Sequence, residues 1–129
     1  MMELPITGGC SCGDIRYEAA SGPEFSLMCQ CRQCQRITGT GHAAQFVVPT
    51  ISTRVEGELN YFQYTADSEH KVDSGFCGRC GNPVLKKTTG HPQWLFFHAA
   101  TLDEPAQFVP DRVVWQEQGQ PWDILKQED

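Results

Sequence analysis

The chain has 129 residues, with 10 lysines and arginines against 16 aspartates and glutamates, so its formal charge is −6. That length suits a single compact domain over residues 1–129, and the ordinary content of apolar residues excludes a disordered chain. The acidic balance argues against nucleic acid as a partner. The chain has neither a membrane-length apolar run nor a secretory signal, so we expect a cytoplasmic protein without a membrane partner.

Short runs rich in β-branched and aromatic residues recur between glycines and prolines, which is typical of strands joined by tight turns. The predicted strands are residues 15–19, 43–48, 59–65, 84–87, 95–99 and 113–116. Helix is scarce, and the best candidate is residues 32–38, which Gly39 would end. We expect the aromatic residues Tyr61, Phe62 and Tyr64 to lie in the core, and residues 126–129 to be frayed. The pattern predicts antiparallel sheets.

The seven cysteines form three clusters along the chain: Cys10 and Cys12; Cys29, Cys31 and Cys34; Cys77 and Cys80. An odd number of cysteines in a reducing compartment argues against a disulfide scaffold. Closely spaced thiolates suit a tetrahedral metal ion, and sulfur ligands favour zinc or an iron–sulfur cluster over magnesium or calcium. The spacing therefore predicts bound metal, and we prefer zinc to an iron–sulfur cluster.

The first and third clusters share a pattern, because a glycine follows the second cysteine of each and permits a tight or left-handed turn. Together they would supply four thiolates to a closed, structural zinc site. The middle cluster has three thiolates within six residues, which leaves the fourth position open, as in catalytic zinc sites. The alternative for the middle cluster is a second structural site that His42 or His98 completes.

Basic residues and histidines near the clusters carry weaker signals. Arg32 and Arg36 lie in or beside the middle cluster, where they would either bind an anionic substrate or remain solvated. His42 is close enough in sequence to line the pocket of that cluster. His98 lies in an apolar run and is expected to be a core histidine, and His70 and His91 are expected on the surface.

At these residues the chain resembles the glutathione-dependent formaldehyde-activating enzyme family, also called the centromere protein V family. The resemblance covers nearly the whole chain and depends on the order and spacing of several motifs. These motifs are Gly9-Cys10-Ser11-Cys12-Gly13 with Arg16-Tyr17, Cys29-Gln30-Cys31-Arg32-Gln33-Cys34-Gln35-Arg36 with Gly39, Gly57-Glu58-Leu59, Ser74-Gly75-Phe76-Cys77-Gly78-Arg79-Cys80-Gly81, Thr101-Leu102-Asp103-Glu104-Pro105 and Pro121-Trp122.

The resemblance implies a mainly β fold of the β-tent type, with small antiparallel sheets around a structural zinc and little helix. It also implies two zinc ions per chain. The structural ion would be held by Cys10, Cys12, Cys77 and Cys80, and the catalytic ion by Cys29, Cys31 and Cys34. The activity it implies is that of a carbon–sulfur lyase, which joins glutathione and formaldehyde into S-hydroxymethylglutathione.

The chain departs from the family pattern near the middle cluster. Many members carry His and Ser where this chain has Gln30 and Arg32, and many carry His where it has Arg112 and Val113. Neighbours of metal ligands shape specificity, so these departures bear on the substrate. We expect a zinc-dependent lyase-like enzyme acting on a small-molecule thiol, such as glutathione, and a small aldehyde or their adduct. The alternative is a non-enzymatic, zinc-stabilised binding module.

Overall fold

The structure, a computed structural model, describes residues 2–125, so the predicted frayed residues 126–129 lie outside it. Residues 2–125 contain ten strands, one α-helix and four 3-10 helices. The strands are β1 (Ile6–Gly9), β2 (Arg16–Ala19), β3 (Phe25–Cys29), β4 (Ala43–Pro49), β5 (Thr53–Glu56), β6 (Leu59–Thr65), β7 (Lys71–Cys77), β8 (Pro83–Thr88), β9 (Trp94–His98) and β10 (Arg112–Val114). Helix α1 is Arg32–Thr38, and the 3-10 helices are Thr50–Ser52, Ala99–Thr101, Pro105–Gln107 and Gln116–Gln118.

The prediction of a mainly β fold with little helix is confirmed, since strands hold 43% of the residues and helices 15%. All six predicted strands are present, with small shifts at their ends, and α1 occupies the predicted residues 32–38. The last predicted strand ends early, at Val114, because Trp115 takes a left-handed backbone conformation with φ 59°. No helix within residues 2–125 is long and apolar enough to cross a membrane.

The strands form two sheets. The smaller has the order β1-β2-β5, and the larger has the order β10-β3-β4-β9-β8-β7-β6. Strand pairing is antiparallel except between β10 and β3, which are parallel. In the described structure β6 and β10 are therefore the edges of the large sheet.

Each face of the large sheet carries its own apolar cluster. Phe46 and Phe97 face the small sheet, where the ring of Tyr17 stacks on Phe97 at 4.0 Å between centroids. Burying a side chain of this size contributes about 1.5–3 kcal/mol to stability. The opposite face carries a smaller cluster in which Phe96 packs with cysteines of β3 and α1. The first face holds the two sheets together, and the second supports the functional site.

The prediction that Tyr61, Phe62 and Tyr64 form the core is wrong. Tyr61 is 45% exposed, Phe62 is 55% exposed, and Tyr64 is half-buried. These residues belong to β6, which is an edge strand, so the sheet provides a neighbour on one side only. The aromatic core comes instead from central strands such as β4 and β9.

Candidate metal centres and an adjoining cleft

Four cysteines from two distant turns meet in one cluster. Cys10 and Cys12 come from the turn between β1 and β2, Cys77 is the last residue of β7, and Cys80 lies in the turn between β7 and β8. Their four sulfur atoms all lie within 4.8 Å of one another. Cys10 and Cys77 are buried, whereas Cys12 and Cys80 are exposed. The cluster therefore joins the small sheet to the large one.

The backbone of both turns is shaped to present amide groups to sulfur. Gly13 and Gly81 have φ values of 85° and 76°, as the glycine after each cysteine pair predicts. The N–H of Ile15 donates to the Sγ of Cys10 at 3.2 Å. A hydrogen bond from the N–H of Asn82 is the main cause that lowers the pKa of the Cys80 thiol to about 6. Such contacts favour the thiolate, which is the metal-binding form.

The other three cysteines form a second cluster at the junction of β3 and α1. Cys29 ends β3, and Cys31 is the N-cap of α1, where its Sγ accepts a hydrogen bond from the N–H of Cys34 at 3.3 Å. The sulfur atoms of Cys29 and Cys34 are 3.3 Å apart. Hydrogen bonds from the thiols of Cys29 and Cys34 lower the pKa of Cys31 to about 2, whereas contacts with Cys29 first and Cys31 second raise the pKa of Cys34. The cluster therefore carries a thiolate at neutral pH.

The donor sets of both clusters suit a soft metal ion, and the distances in the four-cysteine cluster also match a zinc tetrahedron. Zinc–sulfur bonds of about 2.3 Å in a tetrahedron place the sulfurs about 3.8 Å apart. In the four-cysteine cluster, Cys12 Sγ lies 3.7 Å from the sulfurs of both Cys10 and Cys77. Both clusters could therefore bind metal ions. Within residues 2–125, no histidine or carboxylate joins either set, so neither His42 nor His98 completes the three-cysteine cluster.

A cleft of about 540 Å³ opens beside the three-cysteine cluster, and Cys29 and Cys31 form part of its surface. The large sheet contributes Tyr64, Val72, Lys86, Thr88 and Phe96, helix α1 contributes Arg32, Gln33 and Arg36, and the segment after β10 contributes Trp115 and Gln118. The rest of the lining comes from residues 65–68, His70 and His91. The volume suits a small-molecule ligand.

The predicted substrate residues Arg32 and Arg36 both line this cleft. His70 and His91 are exposed, as predicted, but they also line the cleft, which the sequence did not indicate. No sequence motif indicated that Tyr64 lines the cleft. The Tyr64 hydroxyl has a raised pKa, first because it is buried and then because the charges of all three cysteines disfavour its ionisation.

The sequence neighbours of the three cysteines are held by the end of the described chain. Gln30 is buried, and its amide donates to Asp123 at 3.1 Å. Asp123 also lies 3.0 Å from the Nδ1 of His42, so His42 is directed to this carboxylate and does not line the cleft. Gln35 donates to the backbone oxygens of Gln30, at 2.8 Å, and Gln118, at 2.9 Å. These contacts fix the loop that carries the cysteines.

Arg112 and Val113 do not line the cleft. The guanidinium of Arg112 lies 4.5 Å from the centre of the Phe25 ring and pairs with Asp111. This departure from the family pattern therefore affects the outer edge of the large sheet, whereas Gln30 and Arg32 adjoin the three cysteines, and Arg32 also lines the cleft.

Comparison with known proteins agrees with this architecture. A crystal structure of a Rhodobacter sphaeroides protein superposes with a TM-score of 0.64 and 21% identity, over 84% of this chain and 99% of that one, which supports the fold alone. A search among curated proteins found no match. The family described as glutathione-dependent formaldehyde-activating enzyme matches residues 5–118. That match covers most of the sequence, both cysteine clusters included, and the chain therefore belongs to the glutathione-dependent formaldehyde-activating enzyme family.

Proposed function

We propose that the protein is a zinc-dependent enzyme of the carbon–sulfur lyase type. Its substrates would be a small-molecule thiol, with glutathione as the first candidate, and a small aldehyde, or the adduct of the two. The observation that carries the proposal is the three-cysteine cluster. It adjoins a cleft, and within residues 2–125 no histidine or carboxylate is placed to serve as a fourth ligand. Family membership supports the class of substrate.

The two clusters would hold different zinc ions. The closed set of Cys10, Cys12, Cys77 and Cys80 suits a structural ion, and Cys29, Cys31 and Cys34 suit an ion with an open position. A zinc ion with an open position supplies Lewis-acid chemistry, because it lowers the pKa of a thiol and polarises a carbonyl. The seven free thiols also suit a reducing compartment such as the cytoplasm.

The reaction itself is an addition that needs no further reactant. A carbon–sulfur bond forms between the thiol sulfur and the carbonyl carbon, the π electrons of the carbonyl move to oxygen, and the thiol proton is transferred to that oxygen. Arg32 and Arg36 would orient a carboxylate of the thiol substrate through paired hydrogen bonds. Trp115 and Phe96 would supply apolar contact for the rest of the ligand.

Adduct formation tests the proposal directly. The zinc-loaded protein is mixed with glutathione and formaldehyde, and the exchange rate between free and bound formaldehyde is measured by NMR. We expect acceleration by the wild type and a loss of more than about 100-fold in Cys31→Ser, since even neighbours of metal ligands contribute about 10–100-fold. A folded Cys31→Ser protein with the wild-type rate would contradict the catalytic role.

A non-enzymatic binding module predicts a closed second site. In the cobalt-substituted protein, the absorption bands of a site with an open position change when a thiol is added, and those of a closed site do not. We expect glutathione to change the bands, and a spectrum unchanged by saturating thiol would favour the binding module. Cys80→Ser, which removes a ligand of the other cluster, identifies the bands of each site.

A further inference from the structure

The cleft has a charge opposite to that of the whole protein. The chain has a formal charge of −6, yet three cationic side chains, Arg32, Arg36 and Lys86, line the cleft against the carboxylate of Asp67 and the thiolate of the three-cysteine cluster. A concave site lined by one sign of charge concentrates ligands of the opposite sign. The charge distribution therefore indicates an anionic ligand.

The ion pairs of the other arginines also indicate that the cleft takes an anionic ligand. The sequence has six arginines, and the four outside the cleft each pair with a carboxylate: Arg16 with Asp103, Arg54 with Glu18, Arg79 with Asp14 and Arg112 with Asp111. Within residues 2–125, neither Arg32, Arg36 nor Lys86 forms such a pair. Arg32 donates a hydrogen bond to the neutral amide of Gln35, so the cleft holds cations whose charge no carboxylate within residues 2–125 neutralises.

Lys86 differs from the two arginines in its position. It lies in β8, is half-buried, and its Nζ is 5.0 Å from the centre of the Phe96 ring. It lines the same cleft as Cys29 and Cys31, and its partner across the strands, Phe96, packs in one apolar cluster with Cys29 and Cys34. Its neighbour Lys87 lies on the other face of the strand, where its Nζ is 4.6 Å from the centre of the Tyr61 ring. Lys86 is therefore the cation of the sheet that adjoins the reacting centre.

The two carboxylates of glutathione are at the ends of the tripeptide, remote from its sulfur, and the arginines of α1 suit them. A negative group beside the three-cysteine cluster must belong to the carbonyl compound, because sulfur and carbonyl carbon meet there. We propose that the carbonyl substrate carries its own carboxylate, which Lys86 binds, so that the substrate class is a small 2-oxo acid such as glyoxylate. This inference rests on the proposed function and specifies its second substrate.

Addition of the thiol to glyoxylate follows the same steps as addition to a neutral aldehyde and needs no further reactant. The thiol adds to the carbonyl carbon of OHC–COO⁻, the carbon–sulfur bond forms, and the former carbonyl oxygen takes the thiol proton to give RS–CH(OH)–COO⁻. Lys86 keeps its proton throughout and acts as a specificity residue through a charge-assisted hydrogen bond. Formaldehyde has no group for this contact, so the half-buried ammonium would face an unpaired position in its complex.

Two stable thioethers separate the contribution of the carboxylate from the rest of the ligand. S-carboxymethylglutathione has the carboxylate of the glyoxylate adduct, and S-methylglutathione lacks it. Isothermal titration of the zinc-loaded wild type should give at least about tenfold tighter binding of the carboxymethyl compound, as expected for one charge-assisted hydrogen bond. Lys86→Met should abolish this preference, Lys86→Arg should keep part of it, and Lys87→Met, the matched control, should leave it unchanged.

Each other result has a defined meaning. Equal binding of the two thioethers to the wild type, or a preference that persists in Lys86→Met, overturns the role of Lys86 and leaves the proposed function intact. Failure of both thioethers to bind overturns glutathione as the thiol, and this inference with it. Turnover gives an independent measurement: the ratio of kcat/KM for glyoxylate to kcat/KM for formaldehyde should fall about tenfold in Lys86→Met and stay at the wild-type value in Lys87→Met.

Discussion

Asp123 connects three parts of the molecule through one carboxylate. It accepts a hydrogen bond from Gln30 and pairs with His42, and its side chain is 8% exposed. Gly41 packs so closely against it that a Cβ there would lie 2.2 Å from the Asp123 carboxyl carbon. Asp123 therefore fixes the backbone on both sides of α1, and through Gln30 it positions the three-cysteine loop.

We expect Asp123→Ala to destabilise the protein by about 2–3 kcal/mol, because it leaves the buried Gln30 amide and His42 without their partner. Urea denaturation followed by fluorescence measures the change in free energy of unfolding. The matched control is Asp103→Ala, which removes an exposed pair with Arg16 and should lower the stability by less than about 1 kcal/mol. Equal losses in the two variants would contradict the positioning role of Asp123.

His98 makes stability depend on pH. Burial, with a smaller contribution from the charge of Lys86, lowers the pKa of His98 from 6.5 to about 4. Between these values the unfolded chain binds a proton that the folded chain does not, so this histidine destabilises the fold as the pH falls. At pH 4 the effect approaches about 3 kcal/mol.

The test compares the wild type with His98→Asn, which cannot titrate. Protonation of the metal-binding thiols destabilises both proteins in acid, so the difference between their unfolding free energies isolates the histidine. We expect this difference to change by about 3 kcal/mol between pH 7 and pH 4, with the wild type losing more. Parallel stability curves over that range would show that His98 is not buried in its neutral form.

At the scale of the elements, the sequence predicted strands where apolar and aromatic residues are dense, and it missed β1, β3, β5 and β7. Strand β7 is a central strand, yet its interior contains Asp73 and Gly75, which are poor strand formers. A Cβ on Gly75 would approach the Tyr61 ring to 3.0 Å, so a larger residue there would have to displace the ring. Tertiary contact, rather than local propensity, forms this strand.

The exposed aromatic residues of β6 give the element-scale prediction. Phe62 is 55% exposed and Phe97 is fully buried between the sheets. We expect Phe62→Ser to change the free energy of unfolding by less than about 1 kcal/mol and Phe97→Ala to lower it by about 3–5 kcal/mol. Chemical denaturation of both variants measures the difference. A loss of several kcal/mol in Phe62→Ser would mean that β6 is covered in solution.

For the whole molecule, features built from residues close together in the sequence could be predicted, and most features that join distant residues could not. The cysteines lie in three short motifs, so metal binding could be inferred from spacing, and the glycine that follows Cys12 and Cys80 indicated which two motifs share a site. The cleft could not be inferred, because Lys86, Tyr64 and Trp115 come from separate elements that only the strand order of the large sheet brings together. Trp115 also adopts a positive φ, which is rare for a bulky residue, and no sequence pattern indicated this conformation.

The two cysteine clusters should therefore contribute differently to stability. The four-cysteine cluster joins turns of different sheets, whereas Cys29, Cys31 and Cys34 lie within one continuous segment between β3 and α1. A metal that bridges distant segments stabilises the fold more than one that closes a short loop. We expect Cys80→Ser to lower the melting temperature by more than about 10 °C, which corresponds to about 3 kcal/mol for a chain of this size.

Cys31→Ser is the matched variant, because it exchanges the same atoms and removes a ligand from the other cluster. We expect it to lower the melting temperature by less than half as much as Cys80→Ser. If both clusters bind zinc as proposed, native mass spectrometry should show two ions in the wild type and one in each variant. A chelator should then destabilise Cys31→Ser strongly, since its remaining zinc joins the sheets, and Cys80→Ser only slightly. Equal losses of stability in the two variants would contradict the division into a structural and an open site.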